Sequence, residues 1–205
     1  SSFNANSLPT WNKLHNDAKA LELHSAFYQS NNLYTATLDA STATSTLYTV
    51  NTSTYALTEV DTMAYFASDM APGPTTYASS YGIMVQPYGP YLLLGTVSDP
   101  SGGIYGNGDM SATIGDDVYV VAVAARSLST TSGTYYFLDE SGIIWQVSLS
   151  GTSFGTPTKV VETGLSASLL YQTLYYDGTY LYWGRYADNA AELIIIDPYF
   201  ADSVL

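Results

Sequence analysis

The sequence predicts an all-β fold, a β-propeller-like array of about four four-stranded antiparallel blades over residues 18–205. Three observations predict it: a strand-and-turn unit recurs, its period is near 42 residues, and its strands are apolar or aromatic on both alternating faces. A repeat of that length holding about four short strands fits a propeller blade. The two-sided strands fit as well, because a sheet with one solvated face would alternate apolar with polar residues. A β-sandwich is the alternative; it also has turns about every 8 to 12 residues but needs no repeat.

The elements follow in order. Residues 1–17 lie outside the repeat as a lead-in segment, where PTWNKLHNDAKAL is read as a short helix carrying Leu14, Ala18 and Leu21 on one face, or as an extended run into the first blade. AFYQSNNLYTATL (26–38) is a strand, polar turn and strand; LYTVN (47–51) and YALTEV (55–60) complete the unit. The same order returns in LYYDGTYLYWGRY (174–186), LIIID (193–197) and YFADSV (199–204), which superposes Leu33-Tyr34 on Leu181-Tyr182.

Between them, ATIGDDVYVVAV (112–123) is matched through Val118-Tyr119, and YYFLDESGIIWQV (135–147) is matched to the last two strands of the unit. Tyr77 marks the remaining copy, with GIMVQPYGPYLLLGTV (82–97) as its third and fourth strands. The anchors Tyr34, Tyr77, Tyr119 and Tyr182 are spaced by 43, 42 and 63 residues, and the last gap reads as loop insertions at RSLSTTSG (126–133) and SGTSFGTPT (150–158). Blades are expected at about 18–60, 61–103, 104–163 and 164–205.

FLDESGIIWQVSL and SLLYQTLYYDGTYLYWGRY…AELIIIDPYFADSV resemble β-propeller-like repeats of large bacterial extracellular or cell-surface proteins, which often sit beside Ig-like modules. The resemblance covers roughly residues 104–205. It implies an extracellular, cell-wall-associated module with an adhesive or scaffolding role, and no particular ligand or catalytic group.

Composition narrows the function classes. Five basic residues against 18 acidic ones give a net charge of −13. Neutralising phosphates requires clustered Lys and Arg, so nucleic acid and anionic membrane are poor partners. Only 11% of residues are charged, and 20 are Tyr; Ser, Thr, Asn and Gly fill the polar quota, a surface suited to a secreted protein. No cysteine is present, which excludes disulfides and thiolate metal sites. The longest apolar runs, such as VYVVAVAA (118–125), are of strand length, so no membrane insertion is expected. The start at Ser1 without an initiator Met reads as a processed or excised product.

Motifs for chemistry are sparse. His15 and His24 are nine residues apart, a spacing that suits no helical zinc pair, and no acidic calcium loop with a central Gly occurs; no metal and no cofactor are expected. Asp116-Asp117 reads as a turn. There is no G-x-S-x-G. LDESGIIW (138–145) is similar to the sialidase Asp-box, S-x-D-x-G-x-T-W, but its Gly142 comes three residues after Asp139 rather than two. Glycoside hydrolysis needs two facing carboxyl groups, and no spacing singles out such a pair. Asn51-Thr52-Ser53 is a formal glycosylation sequon in a turn.

The richest local feature is the aromatic cluster Tyr175, Tyr176, Tyr180, Tyr182, Trp183 and Tyr186, with Asp177 and Arg185. Its ligand-binding candidates are Tyr176, Asp177, Tyr182, Trp183 and Arg185: aromatic faces stack on sugar rings while Asp and Arg hydrogen-bond. The plainer reading places the rings between blades, where aromatics dominate a β core, and pairs Arg185 with a carboxylate.

The expected function is a non-catalytic extracellular binding or adhesion module recognising a carbohydrate or protein surface ligand. The alternatives are a structural subunit or spacer of a surface layer or filament, and a carbohydrate-active enzyme. Because YFADSV ends beside the chain terminus, the chain is also expected to join further blades or another chain in a larger assembly.

Overall fold

The computed structural model describes residues 22–29, 31–39, 44–54, 56–63, 69–74, 83–96, 104–169, 172–188 and 190–199. They form four antiparallel sheets arranged as a four-blade β-propeller. The first sheet runs β1 (Glu22–Gln29), β2 (Asn32–Asp39), β3 (Thr44–Val50) and β4 (Leu57–Met63) in spatial order. The second runs β5 (Ala71–Pro72), β6 (Ile83–Tyr88), β7 (Tyr91–Thr96) and β8 (Ile104–Asp109), and is followed by a single helical turn, α1 (Ser111–Ile114). In the third, β9 (Val120–Leu128), β10 (Ser132–Asp139) and β11 (Ile143–Ser150) are edged by β12 (Ser153–Phe154) and β13 (Thr158–Glu162), which both pair with β11. Among the described residues the fourth holds β14 (Thr173–Tyr176), β15 (Leu181–Ala187) and β16 (Ala190–Ile196). No helix among the described residues is long and apolar enough to cross a membrane.

The two-sided apolar strands have a direct explanation in the packing. Successive residues of a strand point to opposite faces, and β10 buries both. Tyr135 and Phe137 pack with Val85, Leu92 and Leu94 of the second sheet, while Tyr136 and Leu138 pack with Leu174, Trp183 and Ile196 of the fourth. The first sheet joins through Phe27, Tyr34 and Leu47, which meet Met70 and Met84 of the second. Burying each large apolar side chain contributes about 1.5–3 kcal/mol, so these inter-sheet layers hold the ring together.

Strands form in each copy of the repeat, but the phase of the middle copies is shifted, and SGTSFGTPT (150–158), expected as an inserted loop, holds β12 and the start of β13. Tyr34 and Tyr182 lie in second strands, β2 and β15, whereas Tyr119 precedes β9, a first strand. Tyr135-Tyr136 of β10 occupies the second-strand position instead. YYFLDESGIIWQV is therefore the second and third strands of its sheet, and so is GIMVQPYGPYLLLGTV. Ile104–Asp109 closes the second sheet, although the period starts a new blade there. RSLSTTSG is no inserted loop: Arg126–Leu128 ends β9, and Ser132 already begins β10. Consecutive hairpins share one apolar-turn-apolar signature, so spacing alone does not reveal which hairpin of a blade is in hand. The lead-in at 1–17, Tyr77 and residues 200–204 of YFADSV lie outside the described residues.

Candidate functional site

The first strand of each sheet faces the axis, and there β1, the segment around β5, β9 and β14 enclose a pocket of about 270 Å³. Small side chains leave the space open: Ala26 on β1, Ala71 on β5, and Ala124 and Ala125 on β9. Tyr28 and Tyr175 stand at the rim with 60% and 64% of their surface exposed. Strand alternation explains their posture, because their neighbours Phe27 and Leu174 point into the buried layers while they point out.

The buried wall of the pocket carries Asp69, which is 1% exposed. Its Oδ1 accepts hydrogen bonds from Ser25 Oγ at 2.7 Å and its neighbour Met70 N at 2.9 Å. Thr173 Oγ1 lies 3.5 Å from the same oxygen. Its Oδ2 accepts from the backbone N–H groups of Val123 and Leu174, each at 3.0 Å. One carboxyl thus ties the segment that leads into the second sheet to the first strands of the other three. Burial pushes it up from 3.8 to about 7, against the pull of these donors.

The sequence-derived candidates divide. Tyr176 does line the pocket. Its hydroxyl donates to Gly178 O at 2.8 Å and lies 3.0 Å from the Tyr199 hydroxyl, while its ring meets Tyr136 edge-on at 5.2 Å. The Tyr199 bond, with burial and nearby rings, pushes its phenol up to about 12. Arg126 completes this group, its guanidinium 5.7 Å from the Tyr136 ring centre and 5.9 Å from that of Tyr199.

Asp177 and Tyr182 build a turn. Asp177 Oδ1 accepts from Thr179 N and Tyr180 N, both at 2.8 Å, and Oδ2 accepts from the Tyr182 hydroxyl at 2.9 Å. The two backbone donors hold the Asp177 carboxyl below its usual value.

Trp183 is not placed to touch a ligand. It is completely buried, and its Nε1 donates to Gln172 Oε1 at 2.7 Å. Arg185 is committed within the protein: Nε donates to Ser166 O at 3.1 Å, Nη1 pairs with Glu192 Oε2 at 2.6 Å, and the guanidinium stacks over Trp183. The plainer reading of these two residues is the one their contacts fit.

Sequence reasoning missed Tyr28 and Asp69. By register Tyr28 on β1 corresponds to Tyr176 on β14, since Tyr28 lies opposite Leu33 and Tyr176 opposite Leu181. Asp69 carried one usable signal, a lone acid set among Met70, Ala71 and Pro72. The turn Asp139 to Gly142 is structural: buried Asp139 accepts from Ile143 N at 2.9 Å and Trp145 Nε1 at 2.7 Å. Among the described residues no cluster of His, Asp and Glu is arranged to hold a metal ion. No protein-family model matches the chain, and no curated protein matches it in sequence.

Proposed function

We propose that the chain is a non-catalytic binding module of an extracellular or cell-surface protein, and that its ligand, a carbohydrate or protein surface group, enters the axial pocket. The observation that carries this reading is the pocket itself, walled by the first strands of all four sheets and rimmed by exposed Tyr28 and Tyr175. Exposed aromatic faces above an apolar recess suit the flat, C–H-bearing face of a sugar ring or an apolar side chain. Among the described residues the lining holds a single carboxyl group, Asp69, whose oxygens are occupied by donors. Carboxylate-pair hydrolysis needs a second one. The low charge and the Tyr-, Ser- and Thr-rich composition support a place outside the cell, as does the resemblance to bacterial surface repeats.

Screening on an immobilised glycan library, followed by titration calorimetry of the hits, tests it. Tyr28→Ala and Tyr175→Ala are each expected to weaken binding by about tenfold, the loss of one stacking contact of about 1–1.5 kcal/mol, without shifting thermal unfolding. Silence on glycans with saturable binding to a surface protein would assign the pocket to a protein ligand. Unchanged affinity in both variants, or turnover of a polysaccharide, refutes the reading.

A further inference from the structure

Asp69 sits ahead of β5 and is bonded to β1 through Ser25, to β9 through Val123 and to β14 through Leu174. We propose that Asp69 is a proton-operated clasp on the propeller axis: gain or loss of one proton by its carboxyl changes how firmly the four first strands, the walls of the axial pocket, are held together. This goes beyond the binding reading and does not rest on it, because its test needs no ligand.

The geometry supplies a complete bonding scheme for both states. With the carboxylate ionised, Ser25 Oγ donates to Oδ1 at 2.7 Å. With a proton taken from solvent onto Oδ1, that proton donates to Ser25 Oγ instead, and the Ser25 hydrogen turns to Met70 O, 3.4 Å away. Met70 N continues to donate to Ser25 Oγ at 3.0 Å. Oδ2 remains a carbonyl-like acceptor for Val123 N and Leu174 N. Only a hydroxyl rotation separates the states, so neither leaves a buried donor stranded at Ser25.

Among the described residues no ionised neighbour fixes the choice between them. The groups bonding Asp69 are Ser25 on β1, Met70 of its own segment, Val123 on β9, and Thr173 and Leu174 on β14, none of which titrates. The titratable or charged side chains described elsewhere on these strands are Tyr28, Arg126, Tyr175 and Tyr176, and Arg126 is engaged by Gln146 and the tyrosine rings. Burial is thus opposed only by hydrogen bonds, and it wins, placing the carboxyl at about 7 rather than 3.8.

The sign follows from linkage. The folded chain binds this proton more readily than the unfolded chain does, so the contribution is fully present below about pH 4. It is lost as pH rises through about 7 and is constant above that. Across that window the folding equilibrium constant changes by about 10³-fold from this group alone.

Asp69→Asn is an uncharged mimic of the neutral state: its amide nitrogen donates to Ser25 Oγ, its oxygen accepts from Val123 and Leu174, and Met70 N, which an amide nitrogen cannot accept, keeps Ser25 Oγ as its acceptor. Urea unfolding of both proteins from pH 4 to pH 8 is the experiment. The two are expected to have similar stability at pH 4, and the variant to gain on the wild type up to about 10³-fold in folding constant by pH 8. A difference that is flat with pH, or a variant weaker than the wild type at pH 8, overturns the clasp. Carbon-13 NMR titration of the Asp69 carboxyl in the wild-type chain gives an independent reading should the variant fail to fold. A midpoint between about 6 and 8 supports the proposal, and one below about 5 overturns it.

Discussion

Replacing Trp183 by Phe separates a packing role from a binding role at the residue that sequence reasoning placed among the ligand contacts. Trp183 pairs across β15 with Leu174 on one side and Ile194 on the other, and no part of it reaches solvent. Its Nε1 is the donor to Gln172 Oε1 at 2.7 Å, in a buried setting. Phe cannot donate, so the Gln172 oxygen loses that partner, which costs about 1–3 kcal/mol. The smaller ring leaves a cavity worth about 1–2 kcal/mol more. The sum is about 3 kcal/mol, and at ~2–4 °C per kcal/mol for a chain of this size the unfolding midpoint falls by roughly 6–12 °C. Calorimetry or circular dichroism reads it. A cycle with Gln172→Met isolates the hydrogen bond, with a coupling of about 1 kcal/mol or more expected. Affinity for any glycan found by the library screen, measured well below the midpoint, should stay within about twofold. A midpoint within about 2 °C of wild type, or a tenfold affinity loss in folded protein, refutes the placement of Trp183 in the core.

Two further outcomes follow from the turns. At Gly142, φ is +79°, and an added Cβ would collide with the Leu165 backbone carbonyl and crowd Thr163 Oγ1; Gly142→Ala should cost roughly 3–5 kcal/mol in urea unfolding. Gly164 has φ +71° but nothing near its Cβ position, so Gly164→Ala should cost only about 1 kcal/mol, and equal losses would refute the steric account. At Asp177 the carboxyl is depressed by the Tyr180 and Thr179 amides, so its contribution is present above its ordinary value of 3.8 and fades as pH falls through its lower folded value. Asp177→Ala should therefore lower the thermal midpoint at pH 7 but not near pH 2, and a difference that persists at acid pH counts against the turn's reliance on an ionised side chain.

What was legible in the sequence is what repeats along it. Tyr135 to Leu138 announce a strand buried on both faces because four consecutive apolar residues cannot serve a one-sided sheet, and the structure gives each face its own neighbouring sheet. The turns at Asn51 and Asp177 were legible for the same local reason: an acid or amide side chain caps the backbone two and three residues on. Phase was harder, since the β6–β7 and β10–β11 hairpins look like any other hairpin until pairing fixes which strand faces the axis. The aromatic cluster was visible, but its division was not. On one strand Tyr182 points to a turn and Trp183 to the core, so adjacency in sequence placed together residues that alternation drives apart. Asp69 was least accessible of all. Its partners lie 44, 54 and 105 residues away, and those on β9 and β14 are backbone N–H groups, which every residue but proline owns. No residue type marks them, so a carboxyl that ties the axis together leaves almost no trace in composition or spacing. Only the closure of the four sheets brings its donors to one point.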